Sequence, residues 1–228
     1  MGWFTRALNS SLGKKYIMAL TGFFLIIYLA IHLFGNSFLY VSYYTGDPGF
    51  FNTYVSTLTE SGLHYVIRVI EIVLLLGFLI HIYEGVTLTI SNWRARPNRY
   101  AVKPEDPQAN LASRTMWLSA SVIFFFLVIH IQQFWYIYHY GNSGATMYDL
   151  VIMAFSNPVF AVIYLISVAL LGFHLYHGFQ SAFQSLGWNH VKYRTLIVVL
   201  GRIYTFVISL GFASFPIFFY LMSLRGGK

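Results

Sequence analysis

The chain has 228 residues, of which 57% are hydrophobic, 20% aromatic and only 9% charged. A soluble domain carries about a quarter charged residues, so this composition excludes an ordinary water-soluble fold and points to an integral membrane protein. Cysteine is absent, which excludes disulfides and any iron–sulfur cluster ligated within the chain, and the formal charge of +7 is explained by where the basic residues fall.

The first fifteen residues hold no apolar run of their own, so no cleaved signal peptide is expected. Residues 16–40 form the first uncharged stretch longer than the ~20 residues that a helix needs to cross the hydrocarbon core. The connection 41–62, with "TGDPG", reads as a turn and a short segment leading into a second span, 63–92. That span is apolar but carries Arg68, Glu71 and Glu84. The next connection, around "RARPNRYAVKPEDPQAN", contains Pro97, Pro104 and Pro107, which forbid continued helix, and an extended surface loop is expected there. The third span is 115–141. "SNP" at 156–158 starts the fourth, 158–186, with Asn157 as the cap and Pro158 in the first helical position. The fifth, 195–224, contains only Arg202. The expected fold is therefore all-α and integral to the membrane, one domain over 1–228 with five transmembrane helices. No connection is long enough to fold as a soluble domain, so chemistry on a water-soluble substrate belongs to a partner chain.

Charge sets the orientation. Arg6, Lys14 and Lys15 precede the first span; Arg94, Arg96, Arg99, Lys103 and Arg114 surround the second connection; Lys192 and Arg194 lie in the fourth. The connections 41–62 and 142–157 contain Asp47, Glu60 and Asp149 and no Lys or Arg. The positive-inside rule then places the N-terminus inside and the C-terminus outside, with Arg225 and Lys228 as outside basics. The basic balance is thus a topology signal, and no nucleic-acid partner is expected.

Eight histidines are present. His64, His139 and His190 fall near span ends. His32, His81, His130, His174 and His177 lie deep within the first four spans, where an ionisable side chain is costly and marks a function, a buried pair or a cofactor. At a rise of about 1.5 Å per residue, His32 and His130 both sit about 24–26 Å from the inner boundary, and His81 and His174 both about 20 Å. Two imidazoles facing each other within a four-helix interior are the usual axial ligands of a b-type haem. Glycines near the ligands, Gly35, Gly77, Gly85, Gly172 and Gly178, are expected to leave room for a flat macrocycle. His177, one turn inward of His174, is placed to meet a haem propionate, or to exchange roles with His174 as ligand. The bland alternative is that each histidine hydrogen-bonds singly to a neighbouring helix. Zinc is disfavoured, because the four do not converge and no cysteine assists.

Four segments carry a family resemblance. "YLAIHLFGN", "LIHIYEGVTL", "FFLVIHIQQFW" and "LLGFHLYHGFQSAFQSLGW" resemble the cytochrome b membrane anchor of succinate dehydrogenase and fumarate reductase, in the class with one five-helix polypeptide and two haems. The resemblance covers almost the whole chain. It implies that the first four helices form a haem-binding bundle, with His81 and His174 holding the haem nearer the soluble subunits, and His32 and His130 the outer one. It further implies a flavoprotein subunit that oxidises succinate, an iron–sulfur subunit that delivers electrons, a quinone acceptor, typically menaquinone, and a prokaryotic inner (plasma) membrane. Arg94, Arg96, Arg99 and Lys192 would be available to dock the iron–sulfur subunit. One departure is Gly172, where some members carry a glutamate implicated in proton transfer; Glu84, on the same face as His81, is the buried acid available here.

Candidate quinone residues are Glu60 and His64 at the start of the second span, and Ser10, Ser11, Lys14 and Lys15 before the first. Arg68 and Glu71 are spaced to pair as i, i+3. Trp93, Trp117, Trp135 and Trp188 read as aromatic-belt residues. Two other readings remain: the cytochrome b subunit of a hydrogenase or formate dehydrogenase, and a haem-free transporter using its histidines as proton relays.

Overall fold

The computed structural model describes residues 2–95, 107–141 and 144–226. Among them every regular element is helical: α1 (Trp3–Asn9), α2 (Ser11–Asn36), α3 (Phe38–Thr45), α4 (Gly49–Thr59), α5 (His64–Ala95), α6 (Pro107–His130), a π-helical turn (Ile131–Tyr136), α7 (Ile137–Tyr140), α8 (Met147–Ser156), α9 (Pro158–Ser185) and α10 (Val191–Leu224). Five helical stretches are long and apolar enough to cross a bilayer: Ser11–Thr45, His64–Ala95, Thr115–Tyr140, Pro158–Ser185 and Val191–Leu224. Their outward faces are studded with exposed Leu, Ile, Val and Phe side chains such as Leu79, Phe125 and Phe206, a surface that only an apolar solvent accommodates.

Helix ends follow local chemistry. Ser10 caps α2, its hydroxyl accepting from the Gly13 N–H at 3.0 Å. Gly46 closes α3 at a left-handed φ of 68°, which a residue with a side chain resists. Asn157 caps α9 through the Val159 N–H at 2.9 Å, with Pro158 in the first helical position. The connections are more ordered than turns. Residues 49–59 and 147–156 are helices, the second started by a reciprocal capping box between Thr146 and Asp149. Helix α6 begins at Pro107, inside the stretch expected to be extended, where proline's fixed φ suits a first turn; Arg96, Pro97, Arg99, Lys103 and Pro104 lie outside the described residues.

α9 is the hub of the bundle, packing on α10, α6 and α2. Among the described residues, α5 has its broad contact with α2 and a smaller one with α4, and it buries only Glu84. The tightest core lies at one end, where α3, α4 and α8 close over α9 and α10. Leu39, Phe51, Val151, Phe155, Tyr164, Phe215 and Phe219 form one buried cluster there. This cap end is the side that the charge pattern expects to face outward. Pro216 sits buried inside α10 and the helix continues past it, as spanning helices permit when neighbours enclose the broken turn.

Several glycines expected to leave room for a cofactor instead admit side chains of the bundle itself. A Cβ on Gly35 would strike the Tyr54 ring; on Gly77, Phe24 at 3.2 Å; on Gly85, Met18 at 3.3 Å; and on Gly172, the Ser209 hydroxyl at 2.6 Å. Only Gly178 of that set faces open space, with nothing within 4 Å. Gly35→Ala should therefore lower thermal stability in detergent by about 1–3 kcal/mol, the usual cost of overpacking. Tyr54→Ala in the same chain should recover part of that loss; additive losses in the double variant would show that the two do not meet.

Candidate functional site

The four spans bring their deep histidines together as two diagonal pairs. His32 of α2 and His130 at the end of α6 lie with ring centroids 5.8 Å apart and planes at 88°. His81 of α5 and His174 of α9 lie 6.4 Å apart at 65°. His177 makes no ring contact with His81 among the described residues, so His174 is the closer partner of the two. The first pair borders the cap end and the second lies deeper along the bundle.

Each ring has one nitrogen accounted for. Thr21 Oγ1 lies 3.1 Å from His81 Nδ1 and donates its own proton to Ile17 O at 2.8 Å. Ser119 Oγ lies 3.4 Å from His174 Nδ1 and donates to Met116 O at 3.0 Å. Tyr164 Oη lies 3.3 Å from His130 Nδ1 and donates to Gln133 Oε1 at 3.0 Å. With the hydroxyl protons directed to those oxygens, each hydroxyl accepts from Nδ1–H, an assignment that leaves the lone pair on Nε2. His32 stacks on Tyr28 with centroids 5.4 Å apart, and its Nε2 meets the Asn36 amide nitrogen at 3.5 Å, the long limit of a hydrogen bond. That contact also requires a lone pair on Nε2.

These features fit a haem iron held between each pair. At about 2.0 Å per metal–nitrogen bond and about 1 Å from nitrogen to ring centre, two axial imidazoles stand about 6 Å apart. The observed 5.8 and 6.4 Å bracket that value. Axial histidines conventionally donate the other ring nitrogen to a fixed acceptor, which sets tautomer and orientation. All four rings are partly buried, and Tyr28, Phe212, Phe126 and Phe134 pack against the His32–His130 pair. Among the described residues no group of three or more His, Cys, Asp and Glu gathers, which leaves no cluster of the kind a zinc site needs.

Polar groups around the pairs divide into engaged and capping roles. Arg68 pairs with Glu71 at 2.9 Å, and Trp135 Nε1–H donates to the other Glu71 oxygen at 3.3 Å. Trp135 thus tethers the π turn to α5 as well as contributing to an aromatic belt. Trp188 packs on Phe23 and Phe183, and Trp93 on Trp117. Glu84 is buried and accepts from the Thr87 hydroxyl at 3.2 Å.

The quinone candidates do not form one constellation. Glu60 ends α4 and lines a cavity of about 350 Å³ with Asn52, Thr53, Tyr138 and Thr146. His64 bonds Ser61 O at 2.9 Å and stacks on Tyr65, and no hydrogen bond joins it to Glu60 among the described residues. Ser10 is a cap, Ser11 and Lys15 are exposed, and Lys14 is half-buried at the opposite end of α2. Burial pushes the Tyr54 and Tyr148 hydroxyls up from their ordinary range, so the cap is uncharged at these phenols.

Sequence reasoning missed Thr21, Ser119, Tyr164, Gln133 and the π turn. Gly22 was missed too: a Cβ there would sit 3.4 Å from the His81 ring. No protein-family model matches the chain, and no curated protein or solved structure matches it either.

Arg68 and Glu71 are 43% and 30% exposed, so breaking their pair should cost less than the 3–5 kcal/mol of a fully buried one. Glu71→Ala, which strands both Arg68 and the Trp135 N–H, should lose about 1–2 kcal/mol of thermal stability. Glu71→Gln keeps an acceptor for Trp135 and should lose less. Equal melting points for the two variants would show that the indole contact contributes nothing.

Proposed function

We propose that this chain is the di-haem cytochrome b anchor of a succinate:quinone oxidoreductase. It passes electrons from a partner iron–sulfur subunit through two b haems to a quinone, with menaquinone the preferred candidate. It also anchors the succinate-oxidising flavoprotein assembly in a prokaryotic plasma membrane, N-terminus inside. The observation that carries the haem part is the pair of facing imidazole couples at 5.8 and 6.4 Å. The succinate part is carried by the four histidine-bearing motifs and their resemblance to that anchor family.

In this reading the chain contributes positions and protons. Bound haem supplies one-electron storage at its iron. His81 and His174 would hold the deeper group, and His32 and His130 the one nearer the cap. Thr21, Ser119 and Tyr164 keep three ring protons on Nδ1, so each Nε2 is free to bond iron without first losing a proton. The Asn36 amide stands 3.5 Å from His32 Nε2, at the long limit of a hydrogen bond, and would compete little with a haem held there. The Arg68–Glu71 pair offers a cation near the cap-end site for a propionate. No residue of this chain acts on succinate, whose chemistry belongs to the soluble subunits.

The purified chain should show a reduced b-type absorption band and two haems per polypeptide. His32→Ala or His130→Ala should leave one, and His81→Ala or His174→Ala the other. Succinate should reduce both haems in the complex isolated with its flavoprotein. Two haems without succinate reduction would redirect the reading to another quinone-linked dehydrogenase. A colourless chain would remove every redox reading and favour proton-coupled transport.

A further inference from the structure

The hydroxyls beside His81 and His174 are fixed by their own helices. Ser and Thr on a helix reach back to a carbonyl three or four residues earlier, and Thr21 and Ser119 both do so. The hydroxyl beside His130 has no such recourse. The Tyr164 oxygen lies a ring's length from its own backbone, and its proton goes to Gln133 Oε1 on another helix. Gln133 belongs to the π turn Ile131–Tyr136, which begins at the residue after His130. A π turn closes i→i+5 rather than i→i+4, so it re-aims the side chains that follow, and such turns gather at functional sites. Here the turn sets Gln133 against Tyr164 and Trp135 against Glu71.

We propose that Gln133 is a positioning residue for His130, acting through Tyr164 as a tautomer lock. By accepting the phenol proton, Gln133 obliges Tyr164 to accept from His130 Nδ1–H, which leaves Nε2 bare. Without Gln133, the Tyr164 hydroxyl is free to donate to Nδ1 instead. The ring then carries its single proton on Nε2, and no proton is gained or lost overall. An Nε2–H imidazole has no lone pair on that atom to give to iron. Thr21 and Ser119, anchored to local carbonyls, impose no comparable dependence on a remote residue. The lock is a property of the chain itself; only the identity of the Nε2 occupant rests on the two-haem reading.

Gln133→Met keeps the side chain's length and removes its strong acceptor; adding Tyr164→Phe then removes the competing donor. Solid-state NMR of the haem-free full chain in lipid nanodiscs, with ¹³C,¹⁵N-histidine, reads the tautomer, and the His130 signals are assigned by their loss in His130→Ala. The native chain should show Nδ1–H at His130, and Gln133→Met should move it to Nε2–H. On titration with haem, Gln133→Met should weaken the cap-end site by roughly 10- to 100-fold, the usual effect of removing a ligand's supporting partner. The double variant should bind haem better than Gln133→Met alone, which a packing role for Gln133 does not produce. Retention of Nδ1–H in Gln133→Met, or equal haem loss in single and double variants, overturns the lock. A tautomer shift in a chain that binds no haem keeps the lock and discards the haem reading.

Discussion

An imidazole in the middle of a bilayer has two nitrogens and no water to satisfy either. Leaving such a group unpaired in hydrocarbon costs several kcal/mol, so each buried ring dictates what stands next to it. In this bundle the requirement is met asymmetrically. A hydroxyl takes the Nδ1 side of His81, His174 and His130, and the opposing ring of the diagonal partner lies across the interior. Because the partners sit on diagonal helices, neither pair survives a change in the spacing of α2, α5, α6 and α9. α9 packs on α6 and α2, which places it to hold that spacing.

The two ends of the molecule differ in how firmly they hold the site. At the cap end, aromatic side chains from seven elements pack together, with Tyr40 stacked on Phe215 at 5.1 Å and Tyr164 edge-on to Phe155 at 5.0 Å. Further from the cap, α5 leans mainly on α2 and keeps most of its side chains outward. Dispersion and close packing rather than hydrophobic exclusion hold helices together within lipid. Small residues matter accordingly: Gly22, Gly77 and Gly85 let the α2–α5 pair approach through His81, Phe24 and Met18.

The long apolar runs were readable because length and charge alone decide them, and helix ends fell within a few residues wherever a cap was explicit, as at Asn157. The helices α4 and α8 fell inside connections because neither is long enough to stand out as a span. The Thr146–Asp149 box that starts α8 was nonetheless available in the sequence. The depth argument located the four rings along the membrane normal, but depth says nothing about azimuth. Thr21 lies sixty residues from His81 and Ser119 fifty-five from His174, so no local pattern connects them. The π turn has no composition signature. The glycines misled because a missing side chain is equally consistent with room for a cofactor and with room for a neighbour; at Gly35, Gly77, Gly85 and Gly172 the neighbour won.

The two pairs are therefore unequal in what they depend on. His81 and His174 take their orientation from hydroxyls tied to adjacent turns of α2 and α6, which stay in place as long as those helices stay helical. His130 takes its orientation from Tyr164, whose ring is one of the buried members of the cap cluster, and from Gln133, whose direction is set by a π turn. Phe134 of that same turn packs into the cluster, and Trp135 is tied to Glu71 on α5. The His130 Nδ1 contact is therefore built on the same aromatic cluster that α3, α4 and α8 close over. The Thr21 and Ser119 contacts of the deeper pair are not part of that cluster, so the packing that fixes the cap does not fix them.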